Sequence, residues 1–192
     1  MREDALLTGP LEPTNESYAL AKIAGLKLIN AYRHQYDRNW ISVMPTNLYG
    51  PGDNFDLNTG HALAAMIHRF HKAKIEKSES VTIWGDGSPL REYLHVQDLA
   101  EVCLLLLDSY NGEVALNLGS SEEMSIIDLA RMIKKITNFS GDILLDLEKP
   151  NGTPRKLLDS TAINQLGWHP RISLEKGLEE TYRWFLSNKV RA

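Results

Sequence analysis

The feature that most constrains this chain is an alternation of two kinds of segment. Short runs rich in β-branched and aromatic residues are separated by longer stretches in which apolar side chains recur every three to four positions. Trp40-Ile41-Ser42-Val43-Met44, Val81-Thr82-Ile83-Trp84, Tyr93-Leu94-His95-Val96, Val114-Ala115-Leu116-Asn117-Leu118 and Ile143-Leu144-Leu145 read as strands. Helical periodicity predicts helices from Glu16 to Tyr36, His61 to Lys77, Gln97 to Ser109, Ser125 to Thr137, Ser160 to Leu166 and Ser173 to Ser187. The first is capped by Thr14 or Asn15 and carries Ala19, Ile23, Leu26 and Asn30-Ala31 on one face, the spacing of a long amphipathic helix. Such alternation indicates an α/β protein, with strands parallel where a helix intervenes. A chain of 192 residues has room for one large domain or two small ones around a sizeable core.

Charge and cysteine usage narrow the function classes. Lysine plus arginine number 21 against 25 acidic residues, a net charge of -4. No general pull toward nucleic acid or an anionic membrane is expected, and any anion must be held by a few placed cations. Cys103 is the sole cysteine, so an intrachain disulfide and a CxxC metal or redox site are excluded, and no metal is expected. The apolar run Val102 to Leu107 is far short of the roughly 20 residues that cross a bilayer. The acidic start, Met1-Arg2-Glu3-Asp4, lacks the apolar stretch of a secretory signal. A cytoplasmic protein is expected.

In Ser17-Tyr18-Ala19-Leu20-Ala21-Lys22 a phenol and an ammonium stand four residues apart on one helix face. A cation near a tyrosine favours the phenolate, which makes the pair an acid/base device; by itself the spacing also suits an ordinary surface helix. Its surroundings add weight. A strand ends in Pro45-Thr46-Asn47-Leu48-Tyr49-Gly50-Pro51, a strand-to-loop junction where α/β proteins place ligands, and Gly85-Asp86-Gly87-Ser88-Pro89-Leu90-Arg91-Glu92-Tyr93-Leu94-His95-Val96-Gln97-Asp98 follows.

These motifs resemble the extended short-chain dehydrogenase/reductase superfamily, in which YxxxK precedes a strand and an N-x-Y-G-P loop at the nicotinamide site. Within it, the segments 6–16, 44–51 and 152–159 are similar to the GDP-L-fucose synthase family, from Leu6-Leu7-Thr8-Gly9-Pro10 through Met44-Pro45-Thr46-Asn47-Leu48 to Gly152-Thr153-Pro154-Arg155-Lys156. The resemblance implies an NADP(H)-dependent enzyme that epimerises carbons three and five of GDP-4-keto-6-deoxy-D-mannose and reduces carbon four. It also implies a homodimer packed through the Tyr18 helix, and a partial Rossmann-like, doubly wound cofactor domain over 1–58. A smaller α/β lobe for the GDP-sugar would fill 59–192, with some elements returning to the cofactor domain. By the same resemblance Tyr18 is the catalytic acid, Lys22 binds the cofactor ribose and tunes Tyr18, and Pro45, Thr46, Asn47 and Leu48 line the cofactor. His61 acts as acid in epimerisation beside the cofactor. Arg69, Trp84 and Arg91 hold the GDP-sugar, the arginines by charge and fork geometry. Asn151 stands where the family often has an aspartate that touches the nucleotide.

Other residues have plainer readings: His61 as a helix cap, Arg69 on a solvated face with Lys72 and Lys74, Trp84 as a rim aromatic, Asp98 as a cap and Cys103 as a small core side chain. The family's G-x-x-G-x-x-G phosphate turn does not occur in the 192 residues, nor do its catalytic serine strand and reactive cysteine. The chain is therefore expected to correspond to the C-terminal portion of the family's fold. Alternatives are another NAD(P)-dependent nucleotide-sugar epimerase or dehydratase, and a non-catalytic module that binds GDP-sugar or pairs with another subunit.

Overall fold

A computed structural model describes residues 1–188. In chain order its elements are α1 (Glu16–Tyr36), β1 (Val43–Pro45), β2 (Asn47–Tyr49), α2 (Ala62–Ile75), β3 (Ser80–Trp84), β4 (Leu90–His95) and α3 (Val96–Ser109). They continue with β5 (Leu116–Leu118), β6 (Glu123–Ser125), α4 (Ile126–Thr137), β7 (Asp142–Asp146), β8 (Arg155–Lys156), α5 (Thr161–Gln165) and α6 (Leu174–Ser187). The alternation expected of an α/β protein is present. Every strand pairing except β4 with β6 is parallel.

The site is positioned by a change of partner within one extended segment. β1 pairs with β5, Val43 opposite Leu116, and the Thr46 amide still donates to the Leu118 carbonyl at 2.9 Å. One residue later the chain leaves that sheet. β2 runs beside the C-terminal half of β4, with Asn47 opposite Tyr93 and Tyr49 opposite His95. The N-terminal half of β4 lies between β6 and β8, and β3 with β7 forms a separate pair.

Two buried clusters flank this crossing. One gathers Phe55, Ile67, Phe70, Leu129, Ile133 and Leu178 from α2, α4, α6 and the loop before α2. The other gathers Leu94, Val102, Leu106, Leu116, Leu118, Ile163 and Trp168. The expected division at 58/59 falls before α2, and the last four residues of its second part lie outside the described ones.

Local chemistry accounts for the element ends. The Ser125 hydroxyl accepts from the Asp128 amide at 3.1 Å to open α4, and Asn138 closes it in the left-handed region at φ 54. α1 spans the expected residues, but none of its 21 residues is buried. Ala19, Ile23, Leu26 and Asn30 all stay half-exposed, and hydrogen bonds and a ring stack anchor the helix at its far end. There Arg33 donates to the Trp40 and Asn111 carbonyls and Tyr32 stacks on Trp40 at 5.3 Å. Asn15 occupies the N-cap position of α1 without capping it, its amide being turned to the Glu12 carboxylate at 2.6 Å. The strand expected from Trp40 begins only at Val43, and Pro45 lies inside it, where the lost N–H is tolerated because, among the described residues, β1 pairs on one side alone, with β5. β2, β6 and β8, each three residues or fewer, were not foreseen as strands.

Candidate active site

The first turns of α1 bring Tyr18 to the edge of a cleft of about 790 Å³, and the Lys22 ammonium stands 5.5 Å from the Tyr18 ring centre. The opposite wall is the β1–β2 crossing and the turn that follows, Pro45 to Asp53. This wall is held from behind. The Thr46 hydroxyl and the Asn47 amide both donate to the Glu92 carbonyl, at 3.3 and 2.9 Å, so these side chains fix the segment in place. Glu92 itself is fully buried, and its two carboxylate oxygens accept the Ser121 and Leu158 amides at 2.7 and 3.1 Å. A single carboxylate thereby ties β4 to the loop before β6 and to the segment after β8.

His61 lines the same cleft from the start of α2. Its backbone is extended (φ -64, ψ 152), as an N-cap requires, yet its imidazole makes no capping bond, so the ring is left to the cleft. Asp53 stands near it. Burial pushes the Asp53 carboxyl above the usual range, while the Asn54 amide at 2.7 Å and the positive charge available on His61 pull it back. Arg91 enters from β4, and the pairing of β4 with β8 sets Lys156 beside it, so two cations border the cleft together. Arg155 is already engaged, its guanidinium gripping Glu123 at 2.6 and 2.7 Å. Tyr93 lies behind Arg91, and its phenol is pushed up to about 12 by burial, with Arg91 opposing; it keeps its proton through the neutral range.

The structure thus gathers Tyr18, Pro45, Thr46, Asn47, Leu48, His61 and Arg91 at one cleft, while Lys22 stands by Tyr18 without lining it. Arg69 and Trp84 lie elsewhere, lining a second groove of about 400 Å³ between α2 and β3. There Arg69 donates to the Thr82 carbonyl at 3.3 Å, and Trp84 is 63% exposed with the Lys149 ammonium 5.7 Å from its ring. Asn151 is at neither. Its carboxamide oxygen accepts the Asp86 amide at 2.8 Å and lies directly over Gly85, whose φ of 72 is easy only for glycine. The Asp86 carboxylate is held low chiefly by Ser88, with Asn151 adding a smaller pull in the same direction, where an aspartate would add a second negative charge. Asp98 is no helix cap: it is buried and accepts the Arg171 and Ile172 amides at 3.0 and 3.1 Å. Cys103 is half-buried rather than part of the core. Of Arg155 and Lys156, which follow a turn and suit either phosphate binding or plain surface exposure, only Lys156 lines the cleft; Asp53 and Tyr93 carry no sequence signal for it. The register that sets Lys156 beside Arg91 depends on a two-residue strand with no periodicity of its own.

The sequence profile of the NAD dependent epimerase/dehydratase family matches residues 1–119, more than half of the chain. The chain belongs to that family. Family relatives include the GDP-L-fucose synthase 1 of Arabidopsis thaliana, 54% identical over 186 residues, which covers 97% of this chain and 58% of the relative. The GDP-L-fucose synthase of Escherichia coli (strain K12) is 47% identical over 201 residues, covering 100% of this chain and 62% of the relative. Among solved family folds, a GDP-L-fucose synthetase from Naegleria fowleri bound to NADP superposes with a TM-score of 0.94 at 32% identity, over 100% of this chain and 63% of the other. The chain spans about three fifths of the length of the curated relatives it matches. The likeness also confirms the partial Rossmann-like α/β class.

Proposed function

We propose that this chain carries the sugar-handling part of a GDP-L-fucose synthase, which converts GDP-4-keto-6-deoxy-D-mannose by 3,5-epimerisation and NADPH-dependent reduction at carbon four. The observation that carries the reading is the opening of Tyr18, His61 and Arg91 onto one cleft. The relatives' printed names support the substrate class, and the NADP in the Naegleria fowleri structure supports the cofactor.

Each residue type has work to do in that chemistry. A 4-keto group acidifies the carbons on either side, so one group can remove a proton there and another return it on the opposite face. His61, unpaired at the start of α2 and near Asp53, is the group assigned to that exchange. Tyr18 hands a proton to the oxygen of carbon four as the ketone is reduced, with Lys22 placed to balance the charge left on the phenol. Arg91 and Lys156 take the diphosphate. NADPH, when bound, supplies hydride; the residues here suited to its nicotinamide end are Lys22 and the fixed segment Pro45 to Leu48, whose side-chain anchors on Glu92 hold it still. Arg69 and Trp84 in the second groove are assigned to the far end of the GDP-sugar. Asn151 serves it indirectly by pinning the Gly85 turn.

The division into a cofactor part (1–58) and a sugar lobe (59–192), with some elements of the second returning to the first, belongs to the same proposal; the core of Leu94, Val102, Leu116 and Ile163, against which Ile41, Val43 and Leu48 pack, supports such a return. So does a homodimer through α1, supported by Leu20 and Leu28, both more than half exposed on a helix without a buried residue. Calorimetric titration with GDP-mannose and, separately, with NADPH tests the reading, alongside NADPH oxidation in the presence of the 4-keto sugar. Binding of GDP-mannose is expected; tighter binding of a UDP-sugar would transfer the assignment to another nucleotide-sugar epimerase or dehydratase. GDP-mannose binding without NADPH binding or turnover makes the chain, by itself, a binding module.

A further inference from the structure

Beneath the floor of the cleft lies a group the chemistry above does not use. His95 ends β4 directly opposite Tyr49, their rings 5.3 Å apart and nearly perpendicular, and both residues are 2% exposed. His95 is also the N-cap of α3: its Nδ1 accepts the Gln97 amide at 3.3 Å. An imidazole that accepts at Nδ1 while neutral must carry its proton on Nε2. That nitrogen is buried without a partner, as is the Tyr49 hydroxyl.

Three close approaches show what the ring holds apart. A Cβ on Gly50, in the cleft wall, would lie 3.4 Å from Nε2 and 2.6 Å from the Val96 side chain. A Cβ on Gly177 of α6 would lie 3.0 Å from the ring's Cδ2 and would overlap the Tyr49 hydroxyl. The imidazole is therefore wedged between the cleft wall, the first turn of α3 and the face of α6, and glycine is needed on two sides of it.

We propose that His95 is a proton-operated latch: neutral, it closes the first turn of α3 and supports the Tyr49–Gly50 wall, and protonated, it releases both. A second proton can sit only on Nδ1, where it converts the cap's acceptor into a donor aimed at the Gln97 N–H. The Nε2 proton gains no acceptor in exchange. The charged groups facing the ring are Asp98 on α3 and Glu180 on α6, with the Tyr49 phenol on β2. Asp98 is already committed to the Arg171 and Ile172 amides, and the two carboxylates favour the cation less than burial opposes it. The sign follows: the folded chain takes up this proton less readily than the unfolded one, so the latch holds at neutral pH and yields as pH falls below the ordinary histidine value of about 6.5.

The latch does not depend on what the cleft binds, so its test needs no ligand. Amide hydrogen exchange of the 192-residue chain, corrected for intrinsic rates, is compared at pH 7.5 and 5.5. Protection at Gln97 to Leu99 and at Tyr49 and Gly50 is expected to fall at least tenfold at the lower pH. In His95→Asn, which keeps a capping oxygen but cannot titrate, protection at these amides should change less than twofold. Unchanged protection in the unaltered chain, or an equal fall in H95N, overturns the proposal. If H95N does not fold, the ring ¹⁵N shifts of the unaltered chain decide: a neutral ring protonated at Nδ1 overturns it, and one protonated at Nε2 that takes up its second proton together with the loss of protection upholds it.

Discussion

Two neighbouring residues of β4 make their contributions by different means, and each yields a measurable consequence. Arg91 offers charge at the cleft edge, and removing a charge-assisted hydrogen bond weakens an interaction by roughly 1.5–3 kcal/mol. Arg91→Ala is therefore expected to raise the GDP-mannose dissociation constant by about tenfold or more in calorimetry, with the fold unchanged. Glu92 offers geometry. Both of its oxygens accept backbone N–H groups, so Glu92→Gln turns one acceptor into a donor facing a donor, a loss of about 1–3 kcal/mol in urea unfolding. Equal stability of E92Q and the unaltered chain would show that one of the two bonds is not made. Arg91 could be read from the sequence because a recognisable motif carries it. Glu92, one residue on, could not, since only burial and two distant loops turn a glutamate on an alternating strand into a fixed point.

The same contrast holds for whole elements. The bounds of α1, α4 and α6 were legible because capping residues and three-to-four periodicity are local signals. β2, β6 and β8 were not, because strands of two or three residues are created by the neighbour they pair with, and that neighbour is β4 in each case. The separation of Arg69 and Trp84 from Arg91 was hidden for a related reason: β3 pairs with β7 and not with β4. Packing between helices gives its own prediction. His71 on α2 lies 3.0 Å from the Tyr182 hydroxyl on α6, and burial, helped by Lys74 and His68, lowers its affinity for a proton. A histidine lowered in the folded state stabilises above its unfolded value and loses that contribution as pH falls below about 6.5. The urea midpoint should thus drop between pH 7.5 and 5.5, and His71→Gln should flatten part of that drop.

At the scale of the molecule, α1 is the element least explained by its own chain. Its inward stripe is half-covered and Leu20 and Leu28 are more than half exposed, the apolar surface that the proposed pairing would cover. Light scattering is expected to give a mass above the 21.7 kDa of one chain, and the double change Leu20→Glu with Leu28→Glu should return it to that value. A monomer in both forms would remove the pairing role from α1. The parallel sheets carry a consequence of a different kind. Val43 pairs with Leu116, and Ser80 with Asp142, across stretches of chain that hold whole helices. Closing such loops must precede the reward of pairing, so refolding from denaturant is set by long-range encounter and not by helix growth. It belongs on the millisecond-to-second scale of chains dominated by distant contacts. Until β1 finds β5 and β2 finds β4, the wall that faces Tyr18 does not exist, and recovery of ligand binding should trail recovery of helical signal.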